Sequence, residues 1–125
     1  VAHPLAASRL LSALNARSES VTVSAAGEVK VLSLEPNLLK TFDIPLADGR
    51  CGDVVAALDA GGTGIDLRIT DAQSGEEFSL VRGRLLAQSR VCAAGRARTL
   101  RGELRLGAGK TDALVLLRLA PSAQP

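Results

Sequence analysis

The run Cys51-Gly52-Asp53-Val54-Val55-Ala56-Ala57-Leu58-Asp59 leads through the turn residues Gly61-Gly62-Thr63-Gly64 into Ile65-Asp66-Leu67-Arg68-Ile69-Thr70-Asp71. The last segment alternates with period two, so Ile65, Leu67 and Ile69 share one face while Asp66, Arg68 and Thr70 share the other. This is the pattern of a half-buried strand, and the apolar run before the glycines reads as a second strand. The chain then returns through Phe78 to Cys92, the second and last cysteine. A bond between Cys51 and Cys92 would fasten one strand to another across the middle of the domain.

The same grammar continues outward in both directions. Strands are expected at 77–82, 87–92, 98–106 and 112–119, separated by Gln73-Ser74-Gly75, Ala93-Ala94-Gly95 and Gly107-Ala108-Gly109. Within Leu100 to Leu106, Leu100, Gly102, Leu104 and Leu106 fall on one face and Arg101, Glu103 and Arg105 on the other, which must meet solvent or a partner. Ala113 to Leu119 is apolar almost throughout, as expected of a central strand covered on both sides. Towards the N-terminus, Leu39 to Leu46 places Phe42, Ile44 and Leu46 on one face before an Asp48-Gly49 turn. Val29 to Leu34 alternates until Pro36 stops it, and Val21-Thr22-Val23 is β-prone. Short strands with glycine turns predict an antiparallel sandwich or barrel of seven or eight strands, with Leu67, Ile69, Leu104, Leu106 and Leu116 buried.

Before the strands, the spacing of Ala7, Leu10, Leu11 and Leu14 predicts a short amphipathic helix over residues 4–16. A helix of this length is marginal in water, so its leucine face must dock on something. The sheets are one surface for it. A preceding domain or protein partner is the other, which makes Leu10, Leu11 and Leu14 candidate partner-docking residues. The expected organisation is a helix and linker over 1–20, a β-sandwich over 21–119 and a disordered tail over 120–125.

With 125 residues, of which 46% are hydrophobic, the chain has enough apolar material for one core. Its only aromatic residues are two Phe, so stacking platforms for bases or sugars are scarce. A formal charge of +2 does not point to nucleic acid. The charge is nevertheless uneven: eight acids face Arg50 and Arg68 between Asp43 and Glu77, and seven arginines face Glu103 between Arg82 and Arg105. The two segments are expected to neutralise each other side by side. The alternative is a basic face in which Arg82, Arg84, Arg90, Arg101 and Arg105 bind an anion such as an acidic glycan. No apolar run approaches the roughly 20 residues that span a bilayer. The absence of methionine suggests a processed product or an excised domain.

The order of these segments resembles a known family. An apolar strand, a glycine turn, Ile65 to Asp71 leading to Gly75, then Gly95, the alternating Leu100 to Leu106 strand, a glycine turn and a final apolar strand are similar to the bacterial pre-peptidase C-terminal domain over residues 40–119. The resemblance implies a mainly β, antiparallel, jelly-roll-like β-sandwich on a secreted bacterial protein, often beside a peptidase.

Chemistry-bearing motifs are sparse. Gly107-Ala108-Gly109-Lys110-Thr111 ends like a phosphate-binding loop, but Leu104 stands where the first glycine of G-x-x-x-x-G-K-[ST] belongs, and a strand rather than a helix follows. His3 is the only histidine, no Gly-x-Ser-x-Gly elbow is present, and Glu76 and Glu77 point to opposite faces of a strand. Asp66 and Asp71 are the pair to test for calcium, although their spacing matches no EF-hand loop. Cys51 and Cys92 are expected to form a disulfide, because each lies at a strand edge beside a turn and no metal-ligand spacing competes. No cofactor is expected. The functional expectation is a non-catalytic, periplasmic or secreted bacterial binding or assembly module whose partner is a protein or neighbouring domain. The alternatives are an accessory domain of a secreted hydrolase with its catalytic residues elsewhere, and a structural subunit of a surface apparatus.

Overall fold

Residues 3–15 and 28–119 are described by a computed structural model. They form α1 (Pro4–Asn15) and eight strands: β1 (Glu28–Leu34), β2 (Lys40–Leu46), β3 (Cys51–Leu58), β4 (Gly62–Asp71), β5 (Glu77–Gly83), β6 (Leu86–Cys92), β7 (Arg98–Gly109) and β8 (Thr111–Leu119). The expected strand at Val21–Val23, the 16–20 linker and the 120–125 tail lie outside the described residues.

The strands make two antiparallel sheets, ordered β1-β8-β3-β6 and β2-β7-β4-β5. The architecture is therefore a sandwich rather than a barrel. Its wiring is nested: β1 pairs with β8, β2 with β7, β3 with β6 and β4 with β5. Two further ladders, β3 with β8 and β4 with β7, complete the sheets. Only β4 and β5 are joined as a hairpin within one sheet; every other connection crosses between sheets.

The alternation in the sequence becomes the inner core. Val54, Ala56 and Leu58 of β3, Ile65, Leu67 and Ile69 of β4, and Phe42, Ile44 and Leu46 of β2 meet between the sheets with Leu100, Leu104 and Leu106 of β7. The apolar run of β3 and that of β8 have a second use, because their alternate residues point the other way. Val55, Ala57, Leu114 and Leu116 form a separate cluster with Ala6 and Leu10 of α1. The helix thus covers the outer face of the first sheet, and Leu10 is fully buried there. Full burial of a leucine contributes roughly 1.5–3 kcal/mol, enough to hold a helix that would fray alone. Pro4 at the first helical position lacks only an N–H that the helix start cannot use. All five leucine and isoleucine positions expected inside, Leu67, Ile69, Leu104, Leu106 and Leu116, are buried.

Two local features fix the register. Gly102 lies opposite Phe42, and a Cβ built on it would stand 2.2 Å from the Phe42 ring. The larger of the two side chains needs the space of the smaller. Replacing Gly102 by Ala is expected to destabilise the fold by about 1–3 kcal/mol through overpacking, read as a lower urea midpoint at unchanged slope.

Cys51 faces Cys92 directly across the β3–β6 ladder, and the two are bonded. The bridge closes a loop of sequence separation 41. In the chain-entropy account such a closure stabilises by about 3–4 kcal/mol through the unfolded state. The double replacement Cys51→Ala with Cys92→Ala is therefore expected to lower the melting temperature while the far-UV spectrum of the folded protein stays unchanged.

Candidate functional site

The two outer faces of the sandwich differ. α1 covers the first sheet, whereas among the described residues no element packs on the outer face of β2-β7-β4-β5. Period-two alternation puts the inner leucines of β4 and β7 in the core and sends their charged residues outward together. Asp66 is flanked across the strands by Arg105 and Arg82, and Arg68 by Glu103 and Leu80. One row further, Arg101 lies opposite Asp43. Charges of opposite sign therefore alternate both along and across the strands.

Distances show which of these charges are satisfied. Arg68 donates from Nε to Glu77 Oε1 at 2.9 Å, and its Nη1 lies 3.7 Å from Glu103 Oε1. Arg82 Nε lies 3.6 Å from Asp66 Oδ1. Arg101 and Arg105 make no ion pair among the described residues. A shallow depression of about 330 Å³ sits over this array, with exposed Leu39 and Leu80 among its walls.

The five arginines singled out in the sequence do not share one surface. Arg82, Arg101 and Arg105 belong to the open face, and Arg84 lies in the β5–β6 turn. Arg90 is on β6 of the other sheet, where its guanidinium donates to Asp53 at 2.7 and 3.0 Å. Arg118 donates to the same carboxylate at 3.2 Å. Asp53 is almost fully buried and is held by charge-assisted bonds, so Arg90 serves this internal contact. The acidic and basic segments do partly neutralise each other, as Arg82 with Asp66 and Arg90 with Asp53 show.

Other sequence candidates fall elsewhere. Leu10 is consumed by the chain's own core, Leu11 is half-buried, and the Leu14 side chain lies outside the described residues. Asp66 is paired with Arg82, whereas Asp71 accepts the backbone N–H groups of Gln73 and Ser74 at 2.8 and 3.0 Å and caps the β4–β5 turn. Arg98, 3.5 Å from Asp71, also lies over the Phe78 ring. Among the described residues no group of three or more potential ligands gathers for a metal ion. His3 Nε2 and Ser33 Oγ both bond Asp112, at 2.8 and 2.9 Å. The carboxylate is in the middle of that line, so the imidazole is not on the hydroxyl as a serine nucleophile requires. Lys110 ends a β7–β8 turn and lies 3.5 Å from Glu35.

Neither a family model nor a curated relative matches the sequence. Solved structures do share the fold. The pre-peptidase C-terminal domain of a collagenase from Bacillus anthracis superposes with a TM-score of 0.56 at 7% identity, over 74% of this chain and 89% of that one. The fold is thus similar to that of the family suggested by the strand order. PliG from Aeromonas hydrophila, a periplasmic inhibitor of g-type lysozyme, superposes with a TM-score of 0.55 at 6% identity, over 82% of this chain and 93% of that one.

Two carboxylates carry a pH dependence. The N–H groups of Ser74 and Gln73, followed by the Arg98 charge, hold the Asp71 carboxyl below the usual carboxylate range. His3 and then Ser33 do the same for Asp112. A depressed folded pKa gives stability that is complete above about pH 4 and is lost as pH falls through the folded value. The stability difference between the wild type and Asp71→Ala, measured by urea unfolding, is expected to be largest near neutral pH and to shrink below about pH 4.

Proposed function

We propose that this chain is a non-catalytic, extracytoplasmic bacterial binding module that engages a protein partner or neighbouring domain through the open face of β2-β7-β4-β5. The observation that carries the reading is the asymmetry of the sandwich. α1 covers the apolar centre of one outer face, while the other is left uncovered and holds an alternating array of charge with Leu39 and Leu80 exposed at 40% and 45%. Charge alternation favours a partner of complementary mixed charge over a polyanion, because each arginine approached by an anion brings an acid with it. A disulfide fits an oxidising compartment. The neighbours support the same reading by what their own descriptions say, one being a domain of a collagenase and the other a periplasmic inhibitor.

A second reading, the accessory domain of a secreted hydrolase, is favoured by the collagenase domain alone. It uses the same face, with the hydrolase as the neighbouring domain.

Arginine placement supplies the test. Replacing Arg101 and Arg105 together by Glu is expected to abolish capture of the partner by the immobilised chain, whereas Arg90→Ala is expected to leave capture intact and lower thermal stability. Capture that survives the double charge reversal, in protein with an unchanged melting curve, would overturn the assignment of this face. Heparin retention is expected to be weak and gone by about 0.15 M salt, where the screening length is about 8 Å; retention well above that salt would favour an anionic glycan instead.

A further inference from the structure

The end of the sandwich where the β1–β2, β3–β4 and β7–β8 connections meet holds a cavity of about 470 Å³, within the range of small-molecule sites. It shares no lining residue with the depression on the open charged face. Most of its charged groups are already engaged: Asp112 with His3 and Ser33, and Glu35 with Lys110. Two are not. Lys40 and Asp59 both line the cavity, are half-buried, and make no side-chain bond with each other or with any other described residue.

Lys40 is unusual in its direction. It has the parity of Phe42, Ile44 and Leu46 on β2, all buried in the core, so the strand aims its ammonium inward at the mouth of the space between the sheets. Asp59 follows the last buried residue of β3 and its backbone N–H is bonded to Asp112, which fixes the turn that carries it. Leu38 adds a partly exposed apolar wall. A half-buried ammonium and a half-buried carboxylate that do not neutralise each other are both completed by one ligand carrying the opposite charges. A ligand with a single charge engages only one of the two groups.

We infer that this cavity binds a small zwitterion of the α-amino acid class, its carboxylate on Lys40, its ammonium on Asp59 and an aliphatic side chain against Leu38. The site is independent of the sheet face and of what binds there.

The test titrates the isotope-labelled chain with L-leucine, N-acetyl-L-leucine, L-leucinamide, inorganic phosphate and calcium, following amide shifts and heats of binding. L-leucine is expected to saturate with shifts confined to this end of the sandwich, and each analogue lacking one charge to bind about tenfold or more weakly, as loss of a charge-assisted contact requires. Lys40→Gln is expected to weaken L-leucine but not L-leucinamide, and Asp59→Asn to weaken L-leucine but not N-acetyl-L-leucine. These cross-comparisons separate lost recognition from lost folding, since a damaged fold weakens every ligand alike. The inference is overturned if L-leucine does not saturate below its solubility limit, or if its binding is indifferent to both substitutions. Phosphate or calcium binding that displaces L-leucine and exceeds it in affinity would likewise replace the zwitterion site with a simple ion site.

Discussion

Strands β3 and β8 lie side by side with apolar residues on both of their faces, and water must be kept from both. The inner face is served by the second sheet. On the outer face, Val55, Ala57, Leu114 and Leu116 would stand in solvent without α1, at a cost of roughly 1.5–3 kcal/mol for each large side chain. The helix and the strand pair depend on one another, because twelve residues of helix are too few to persist undocked. His3 on Asp112 and the Arg9 guanidinium on the Leu58 carbonyl tether the helix along this strip.

That covering divides labour between the faces. With the hydrophobic demand met by one outer face and the interior, the other outer face can be mostly charged without weakening the fold. Exposed ion pairs such as Arg82 with Asp66 contribute little stability, so the array neither adds much to the fold nor takes much from it. The sheet borders are managed as well. Outer strands β1 and β2 carry Lys30 and Lys40 at core-facing parity, and β2 also carries Pro45, devices that discourage another strand from adding to the border. On the opposite border β5 and β6 approach each other, with Ser79 and Ser89 hydroxyls 2.7 Å apart.

Local periodicity made much of this legible. Alternation in β4 and β7, the unbroken apolar run of β8 and the leucine spacing of α1 report burial directly, because each pattern describes faces of a single element. The cysteine pair was legible because each cysteine lies at a strand edge beside a turn and no metal-ligand spacing competed for them. Surface composition was not. Arg90 and Arg101 look alike in sequence, and both alternate with uncharged or acidic neighbours; that they stand on opposite sides of the molecule follows from sheet order, which no local pattern encodes. Leu10 was ambiguous for the same reason, since an apolar stripe does not name the surface that covers it. Lys40 could have been noticed, as a charge at the parity of Phe42 and Ile44.

The nested wiring also governs how the molecule bears load. Glu28 lies opposite Leu117, so the polypeptide enters and leaves the sandwich at one corner. Tension applied at Glu28 and Leu119, the outer ends of β1 and β8, would open the β1–β8 ladder a few hydrogen bonds at a time, then strip β8 from β3 and β2 from β7. There the unravelling would meet the covalent link between Cys51 and Cys92, which passes the force from one half of the polypeptide to the other. Everything between them, including the β4–β5 hairpin, lies within a closed ring that carries no tension: the bridge works as a mechanical stop, capping how far this module can be stretched.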